Sequence, residues 1–273
     1  MRPRLLALVA ALAVAASVVA GCGAGGGSDP VDPLAQAATT TKDAGSARVA
    51  LRGTVAAAGR RTAFDGDGAV DLRAGRARLE LGTQLPAAGR RTVSTVFADG
   101  DVFVRTGGLA ALFTGGHDWV KVDLARAAGA GGADLGALQG LAAGGDPSQV
   151  LALLALAADS EEVGAERVDG VRTRHYAGRL DADAVAKVAD PDLRRTLQRL
   201  GVRTIPVDAW LDDEGRVRRA HVRVAADGGR VPVALDVTAD LSEFGLRVDA
   251  APPADAFDAT AIAGTAVRLL FGG

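Results

Sequence analysis

Apolar and polar residues alternate with a period of two along much of the first half of the chain. The clearest case is the run RARLEL at 76–81, where every second residue is charged. Successive side chains of an extended strand point to opposite faces, so this alternation predicts a strand with one buried and one solvated face. Similar runs predict strands at five further places: 47–57, 62–73, 91–98, 101–106 and 118–123.

Glycine-containing turns separate these predicted strands. The run AAGRRT at 57–62 recurs unchanged at 87–92, and we interpret the two copies as equivalent hairpin tips in an up-and-down meander. Asp99 and Gly100 form another turn signal, because both residue types tolerate the positive φ angles of a tight hairpin. The first half of the chain is therefore predicted to form a long antiparallel sheet.

The second half of the chain adds helices and more strands. Short helices are predicted at 32–41 and 148–156, the second after an N-cap and a proline at Asp146 and Pro147. A polar helical stretch is expected at 181–200, and a small helix near the C-terminus. The further predicted strands are 161–168, 171–180, 204–212, 216–225, 231–241 and 245–250. This order of elements is typical of an α+β fold.

The predicted helix SQVLALLAL at 148–156 is apolar on nearly every side, which indicates a helix buried on both sides. Ordinary core packing explains such a helix. Alternatively, the helix closes over a cavity that is filled by something other than side chains. Aromatic residues make up only 4% of the chain, and small side chains fill a wide curved sheet poorly. The residues alone leave both interpretations open.

The N-terminus has the layout of a bacterial lipoprotein signal. Two arginines within residues 1–4 precede an apolar run at 5–20, which is shorter than the transmembrane length of about 20 residues. The run ends in VAGC at 19–22, which matches the bacterial lipobox: a branched residue, two small residues and a cysteine. Its small residues fit the narrow cleft of a signal peptidase, and its cysteine carries a thioether-linked diacylglycerol.

These features predict a lipoprotein signal peptide at 1–21, lipidation at Cys22, a flexible glycine-rich tether at 22–31 and one domain at 32–273. The alternative is an ordinary signal peptide beside which Cys22 is incidental. Cys22 is the only cysteine in the chain, so no disulfide stabilises the domain. We expect an exported protein that its lipid holds on the outer face of the cell membrane.

Charge and motif spacing favour neither nucleic-acid binding nor catalysis. The formal net charge is −2, and the three histidines are scattered without metal-ligand spacing. The serines lie in neither G-x-S-x-G nor S-x-x-K contexts. The run DGDG at 65–68 suggests calcium, but Arg76 stands where an EF-hand loop needs a carboxylate, so we interpret the run as a hairpin turn. We therefore expect no enzyme activity, no metal and no cofactor.

Several short pieces of the chain carry a family resemblance. They are VAGC at 19–22, DPSQVL at 146–151, EEVG at 161–164, VDGVRTRHY at 168–176, WLDDEGRV at 210–217 and DLSEFG at 240–245. With these pieces the chain resembles the actinobacterial LppX/LprG-type lipoproteins, whose fold is similar to that of the LolA and LolB carriers. The resemblance implies a curved antiparallel half-barrel sheet with helices covering the concave face. It also implies a hydrophobic cavity that accepts acyl chains of lipids or glycolipids, and no catalytic residues.

Two hypotheses follow for the function. In the first, the anchored protein holds an acylated lipid or glycolipid in the cavity and carries or presents it in the cell envelope. In the second, the core is filled, and the protein is a structural or protein-interaction module at the cell surface. The candidate cavity residues of the first hypothesis are Val150, Leu151, Leu153 and Leu154 on the apolar helix, and Val96, Val104, Val120 and Val222 on strands.

Overall fold

A computed structural model of the chain describes residues 31–57, 59–85, 89–105, 114–123, 126, 147–188, 197–198, 200–226 and 233–261. The chain divides into two units, Met1–Val31 and Asp32–Gly273. The predicted signal peptide, the tether and Cys22 lie outside the described residues, as does nearly all of the predicted C-terminal helix. The following account therefore concerns the second unit.

The described part of this unit forms one open, curved sheet of twelve strands. The strands are β1 Ser46–Ala57, β2 Arg60–Asp71, β3 Arg76–Leu85, β4 Gly89–Ala98, β5 Asp101–Arg105, β6 Trp119–Asp123, β7 Ala157–Val168, β8 Val171–Asp181, β9 Thr204–Leu211, β10 Val217–Ala226, β11 Val233–Ser242 and β12 Ala256–Asp258. Their order across the sheet is β12-β6-β5-β4-β3-β2-β1-β11-β10-β9-β8-β7. Neighbouring strands are antiparallel except β6 and β12, which are parallel. The predicted curved antiparallel sheet is confirmed.

Tight hairpins join the strands where the turn residues predict them. The two AAGRRT repeats lie at the β1–β2 and β3–β4 connections, where Gly59 and Gly89 adopt φ angles of +73° and +68°. Asp99 and Gly100 both have positive φ between β4 and β5, as the primed turns that match strand twist require. The meander predicted from the repeats is therefore confirmed.

Within the described ranges, the helices that accompany the sheet include α1 Pro33–Asp43, α2 Pro147–Leu154 and α3 Ala182–Val188. The Asp32 carboxylate caps α1 by accepting the Leu34 N–H at 2.9 Å, and it also accepts the Ser160 N–H of β7 at 3.0 Å. At the other end of α1, the Thr41 hydroxyl accepts the Val217 N–H at 2.8 Å. These bonds attach both ends of α1 to strands of the sheet.

The helix α2 packs against α1 and β2, and its described side chains, from Leu151 onward, are buried on one side only. Leu151 and Leu154 are buried, whereas Ala152 and Ala155 are exposed. The prediction of a helix buried on both sides is therefore wrong, because the residues on its outer side are small alanines whose exposure costs little free energy. That helices cover the concave face of the sheet stays a prediction.

The two faces of the sheet differ in chemistry. We call the face that packs against α1 and α2 the inner face and the opposite one the outer face. The inner face carries the main core cluster, whose strand members include Val49, Leu51, Val70, Leu79, Leu180, Val207, Ala209, Val224 and Leu235. The outer face carries ion pairs between neighbouring strands, such as Arg219 with Asp240 and Arg90 with Asp65. The Arg90 guanidinium lowers the pKa of Asp65.

The C-terminal part departs from the sequence prediction. Residues 245–250 do not form the predicted strand; instead Ala256–Asp258 forms β12 beside β6. The Thr260 hydroxyl and N–H donate to the Asp258 carboxylate, which also pairs with Lys121 of β6, and together they lower the pKa of Asp258 to about 2. This three-residue strand depends on partners distant in sequence, which a local pattern does not contain.

The run DGDG at 65–68 lies inside β2, so the prediction of a hairpin turn is wrong. Its two aspartates face outward, and its two glycines face inward beneath side chains of β3. A Cβ atom on Gly66 would lie 2.6 Å from a methyl carbon of Leu81, and one on Gly68 would lie 2.0 Å from the Arg78 carbonyl oxygen. Close packing, not turn geometry, therefore requires these glycines.

Replacing Gly68 with alanine is expected to lower the free energy of unfolding by about 1–3 kcal/mol, because the new methyl group must displace the β3 backbone. Denaturant unfolding followed by circular dichroism measures the change. Gly164→Ala is the matched control, since Gly164 also lies in a strand and a Cβ there meets no atom within 4 Å. Equal stability of the two variants would contradict this account of Gly68.

Candidate functional site

The inner face of β4, β5 and β6 carries a band of apolar residues set by strand register. Thr95 lies opposite Leu79 of β3 and Val104 of β5, and Val104 lies opposite Val120 of β6. Because directly paired residues point to the same side of a sheet, these side chains share one face. We call seven inner-face residues of these three strands the β4–β6 wall: Val93, Thr95, Phe97, Val102, Val104, Val120 and Val122. The exposed Arg91 lies on the same face at the hairpin end of β4 and is not included.

Along the row from Thr95 on β4 to Val120 on β6, the side chains become less buried. Thr95 and Phe97 are buried, and Phe97 belongs to the main core cluster. By contrast Val104 and Val120 are half-buried, and the side chain of Val93 on β4 is 37% exposed. The described inner face thus changes from a packed core to a partly uncovered apolar surface as it passes from β3 to β6.

The candidates on the apolar helix and on β10 lie in the packed region. Leu151 and Leu154 are members of the main core cluster, and Leu153 and Val222 are half-buried and pack against it. Val222 pairs with Val207 and Val237 on the inner face. The side chain of Val150 lies outside the described residues. The structure therefore brings Leu151, Leu153, Leu154 and Val222 to the same core, next to α1.

Val96 does not share a face with the other strand candidates, so the prediction that it lines the same wall as Val104 and Val120 is wrong. It lies opposite Arg78 and Phe103 on the outer face, in a second buried cluster with Ala98 and Phe103. Its neighbour Thr95 takes the inner position. The run VSTVFA at 93–98 carries apolar residues in both registers, so alternation within this strand alone does not decide which of them face inward.

The floor of the sheet at β1, β2 and β3 is filled by the protein's own side chains. The Phe64 ring covers Gly53, and Leu81 covers Gly66. A Cβ on Gly53 would lie 2.4 Å from the ring, so the glycine allows the aromatic side chain to lie flat on the backbone. Among the described strands, side chains of neighbouring strands therefore cover the glycines at the centre of the inner face.

Thr95 is the polar exception in the β4–β6 wall. Its side chain is buried, with 1% of its surface exposed, and its hydroxyl oxygen has no hydrogen-bond partner among the described residues. Buried hydroxyl groups in proteins are nearly always paired, because an unpaired one keeps its desolvation cost. Sequence reasoning missed Thr95 because threonine is a common strand residue, and only its burial makes it unusual.

The histidines on the outer face are held by carboxylates. The His175 Nε2 atom lies 3.0 Å from an oxygen of Asp208, and its ring stacks on Trp210 with centroids 4.2 Å apart. The His221 Nε2 atom lies 3.0 Å from an oxygen of Asp236. Within the described ranges, no group of three or more histidine, cysteine, aspartate or glutamate residues could hold a metal ion. These contacts indicate structural roles.

Tyr176 and Glu162 form another polar contact near the β7 edge. The Tyr176 hydroxyl donates to a Glu162 carboxylate oxygen at 3.1 Å, and burial together with this bond raises the pKa of Tyr176. The phenol therefore stays protonated near neutral pH and serves as a donor. This pair tethers β8 to the edge strand β7.

The β9–β10 turn, Asp212–Gly215, contains a buried carboxylate. Asp212 is 2% exposed and accepts the Arg216 backbone N–H at 2.9 Å and its Nε–H at 3.0 Å. The Arg216 guanidinium also lies over the Phe244 ring, 4.6 Å from its centroid. The sequence predicts the turn, but its first aspartate is an internal partner of the hairpin and not a solvated residue.

Comparison with known proteins gives one family match and several distant structural likenesses. The family model described as LppX_LprAFG lipoprotein matches residues 29–250. Lipoprotein LppX of Mycobacterium tuberculosis is 14% identical, with 80% of this chain and 98% of that chain covered at a TM-score of 0.45. LprF of Mycobacterium bovis is 15% identical, with 81% and 95% covered at a TM-score of 0.47.

A curated relative is a 31.2 kDa protein of Streptomyces griseus from the rplA-rplJ intergenic region. It is 27% identical over 161 residues, which are 56% of this chain and 52% of the relative. The match thus spans about half of the relative's length. In the described ranges, none of the helices combines the length and the apolar character needed to cross a bilayer.

Proposed function

Because the chain belongs to the LppX_LprAFG lipoprotein family, we propose that it is an exported lipoprotein that binds acyl chains of lipids or glycolipids and carries or presents them in the cell envelope. A diacylglycerol at Cys22 anchors it to the outer face of the cell membrane. The acyl chains occupy a hydrophobic cavity bordered by the β4–β6 wall. The protein binds its lipid without catalysing a reaction.

The observation that carries this proposal is the incomplete burial of the β4–β6 wall. Val104 and Val120 form an apolar surface that is continuous in register with buried Leu79, yet both are only half-buried. Hydrocarbon placed on this surface would leave water together with the valines. The buried leucines of α2 belong to the main core, so we assign the chain-binding surface to the wall and not to this helix.

Energetics explain why an acyl chain needs such a surface. Each CH₂ group moved from an apolar environment into water costs about 0.8 kcal/mol. A chain of about sixteen carbons would therefore cost on the order of 12 kcal/mol to expose, which makes unaided transfer through an aqueous envelope very slow. A wall of valines that covers one side of the chain removes part of this cost, in proportion to the apolar area that leaves water.

Val104→Asp is expected to lower the binding of a fluorescent diacylglycerol at least tenfold, because a carboxylate then faces the hydrocarbon. Titration of the purified full chain, followed by probe fluorescence, measures the affinity. The matched control is Val163→Asp, because Val163 is 56% exposed on the edge strand β7. This variant should bind the probe with the same affinity as the unmodified protein.

The filled-core hypothesis predicts a different result. Under it, the unmodified chain does not bind the probe, and native mass spectrometry of protein from its own host detects no co-purified lipid. The probe could also bind saturably while Val104→Asp and Val163→Asp weaken its binding equally. That result would contradict the proposed position of the acyl chain. Loss of binding in Val104→Asp alone, with an unchanged unfolding midpoint, supports the β4–β6 wall.

A further inference from the structure

We propose that Thr95 donates a hydrogen bond to an ester carbonyl of the bound lipid and so selects acyl esters over ether-linked or free hydrocarbon chains. The inference rests on the proposed function and adds a specificity-determining residue to it. Thr95 lies in the middle of the β4–β6 wall, between the buried Leu79 and the half-buried Val104. Because Thr95 is covered in this structure, a lipid that lies on Val104 reaches its hydroxyl group by entering between the wall and the residues that cover Thr95.

Register places the Thr95 side chain on the inner face. Thr95 shares its row with Val104 and Val120, both of which are apolar. On the next row of the same face, Phe97 lies opposite Val102. Neither row offers a side-chain acceptor for the Thr95 hydroxyl, and its oxygen is unpaired among the described residues. The polar group is thus fully desolvated within an apolar surface.

The chemistry of a hydroxyl group restricts what can satisfy it there. A threonine hydroxyl provides one donor and two acceptor lone pairs. An ester carbonyl oxygen is an acceptor that accompanies every ester-linked acyl chain, whereas the hydrocarbon of the chain offers no polar atom. Valine has nearly the same shape as threonine and would fill the position without an unpaired group. A carbonyl that arrives with the ligand gives the hydroxyl the partner that the wall lacks.

Two lipids and two variants test this inference. The probes are a fluorescent diacylglycerol and its dialkyl ether analogue, which carries the same chains without ester carbonyls. Thr95→Val is expected to lower the affinity for the ester probe by about fivefold to tenfold, the effect of one buried hydrogen bond. Affinity for the ether probe should not fall, and Thr95→Ser, which keeps the hydroxyl, should retain the preference for the ester.

A second measurement separates ligand recognition from a structural role. In the lipid-free protein, Thr95→Val should raise the unfolding midpoint, because the substitution removes an unpaired buried hydroxyl. A lowered midpoint would mean that the hydroxyl is paired within the protein, which overturns the inference. So would equal loss of affinity for both probes, or unchanged affinity for the ester.

The outcomes also separate this inference from the proposed function. If the unmodified chain binds neither probe, lipid binding fails, and the role of Thr95 fails with it. If the chain binds both probes equally well and Thr95→Val changes neither affinity, lipid binding stands and only the assignment of Thr95 is overturned.

Discussion

Cys22→Ser is expected to abolish the incorporation of labelled palmitate when the full chain is expressed in a bacterial host. The thioether that holds diacylglycerol requires a sulfur atom, and Cys22 is the only cysteine in the chain. Gel fluorography of the labelled protein measures the effect. Because two or more acyl chains hold a protein firmly at a bilayer, the variant should also move from the membrane fraction to the soluble fraction.

The matched control for this prediction is Ser28→Ala, which alters the glycine-rich segment beyond the lipobox and leaves VAGC at 19–22 intact. It should retain both the label and the membrane fraction. Persistence of the label in Cys22→Ser would contradict lipidation at this residue. An unlabelled unmodified chain would instead support the alternative in which Cys22 lies incidentally beside an ordinary signal peptide.

Asp212→Ala is expected to lower the free energy of unfolding by about 3 kcal/mol. The substitution removes the acceptor of two hydrogen bonds from Arg216 and leaves a partly buried guanidinium without its main partner, as when one member of a buried ion pair is deleted. For a domain of this size, the midpoint of thermal unfolding should fall by about 6–12 °C. Differential scanning calorimetry measures the shift.

Asp213→Ala is the control for this substitution, because Asp213 is exposed in the same turn and its loss should change the midpoint little. Asp212→Asn should lie between the two, since an amide oxygen still accepts one hydrogen bond but carries no charge for Arg216. Equal midpoints for Asp212→Ala and Asp213→Ala would refute the internal role of Asp212.

The strands and hairpins were largely predictable because their signals are local. Alternation over about six to twelve residues predicts a strand, and the glycine and aspartate residues of each turn predict where it reverses. The elements that failed have partners distant in sequence. The short strand Ala256–Asp258 pairs with β6, more than a hundred residues earlier, and Gly68 is explained by β3 packing rather than by turn formation.

The candidate site was predictable only in part. Leu151 and Leu154 are predicted to line the cavity but lie in the packed core, whereas Val104 and Val120 share the half-buried inner face. Val96 was assigned to the wrong face, and Thr95 was missed. Both errors have one cause, since β4 carries apolar residues in both registers and its inner face depends on which residues of β3 and β5 it pairs with.

The family, the strand pattern of the domain and the chemical identity of the predicted anchor follow from residue types at short spacing, so the amino-acid sequence is enough to predict them. Three findings required the folded chain: β1 lies beside β11, the DGDG aspartates lie on the outer face, and the hydroxyl of Thr95 and the carboxylate of Asp212 are buried. Burial depends on which distant segments cover a residue, and a local pattern holds no record of them.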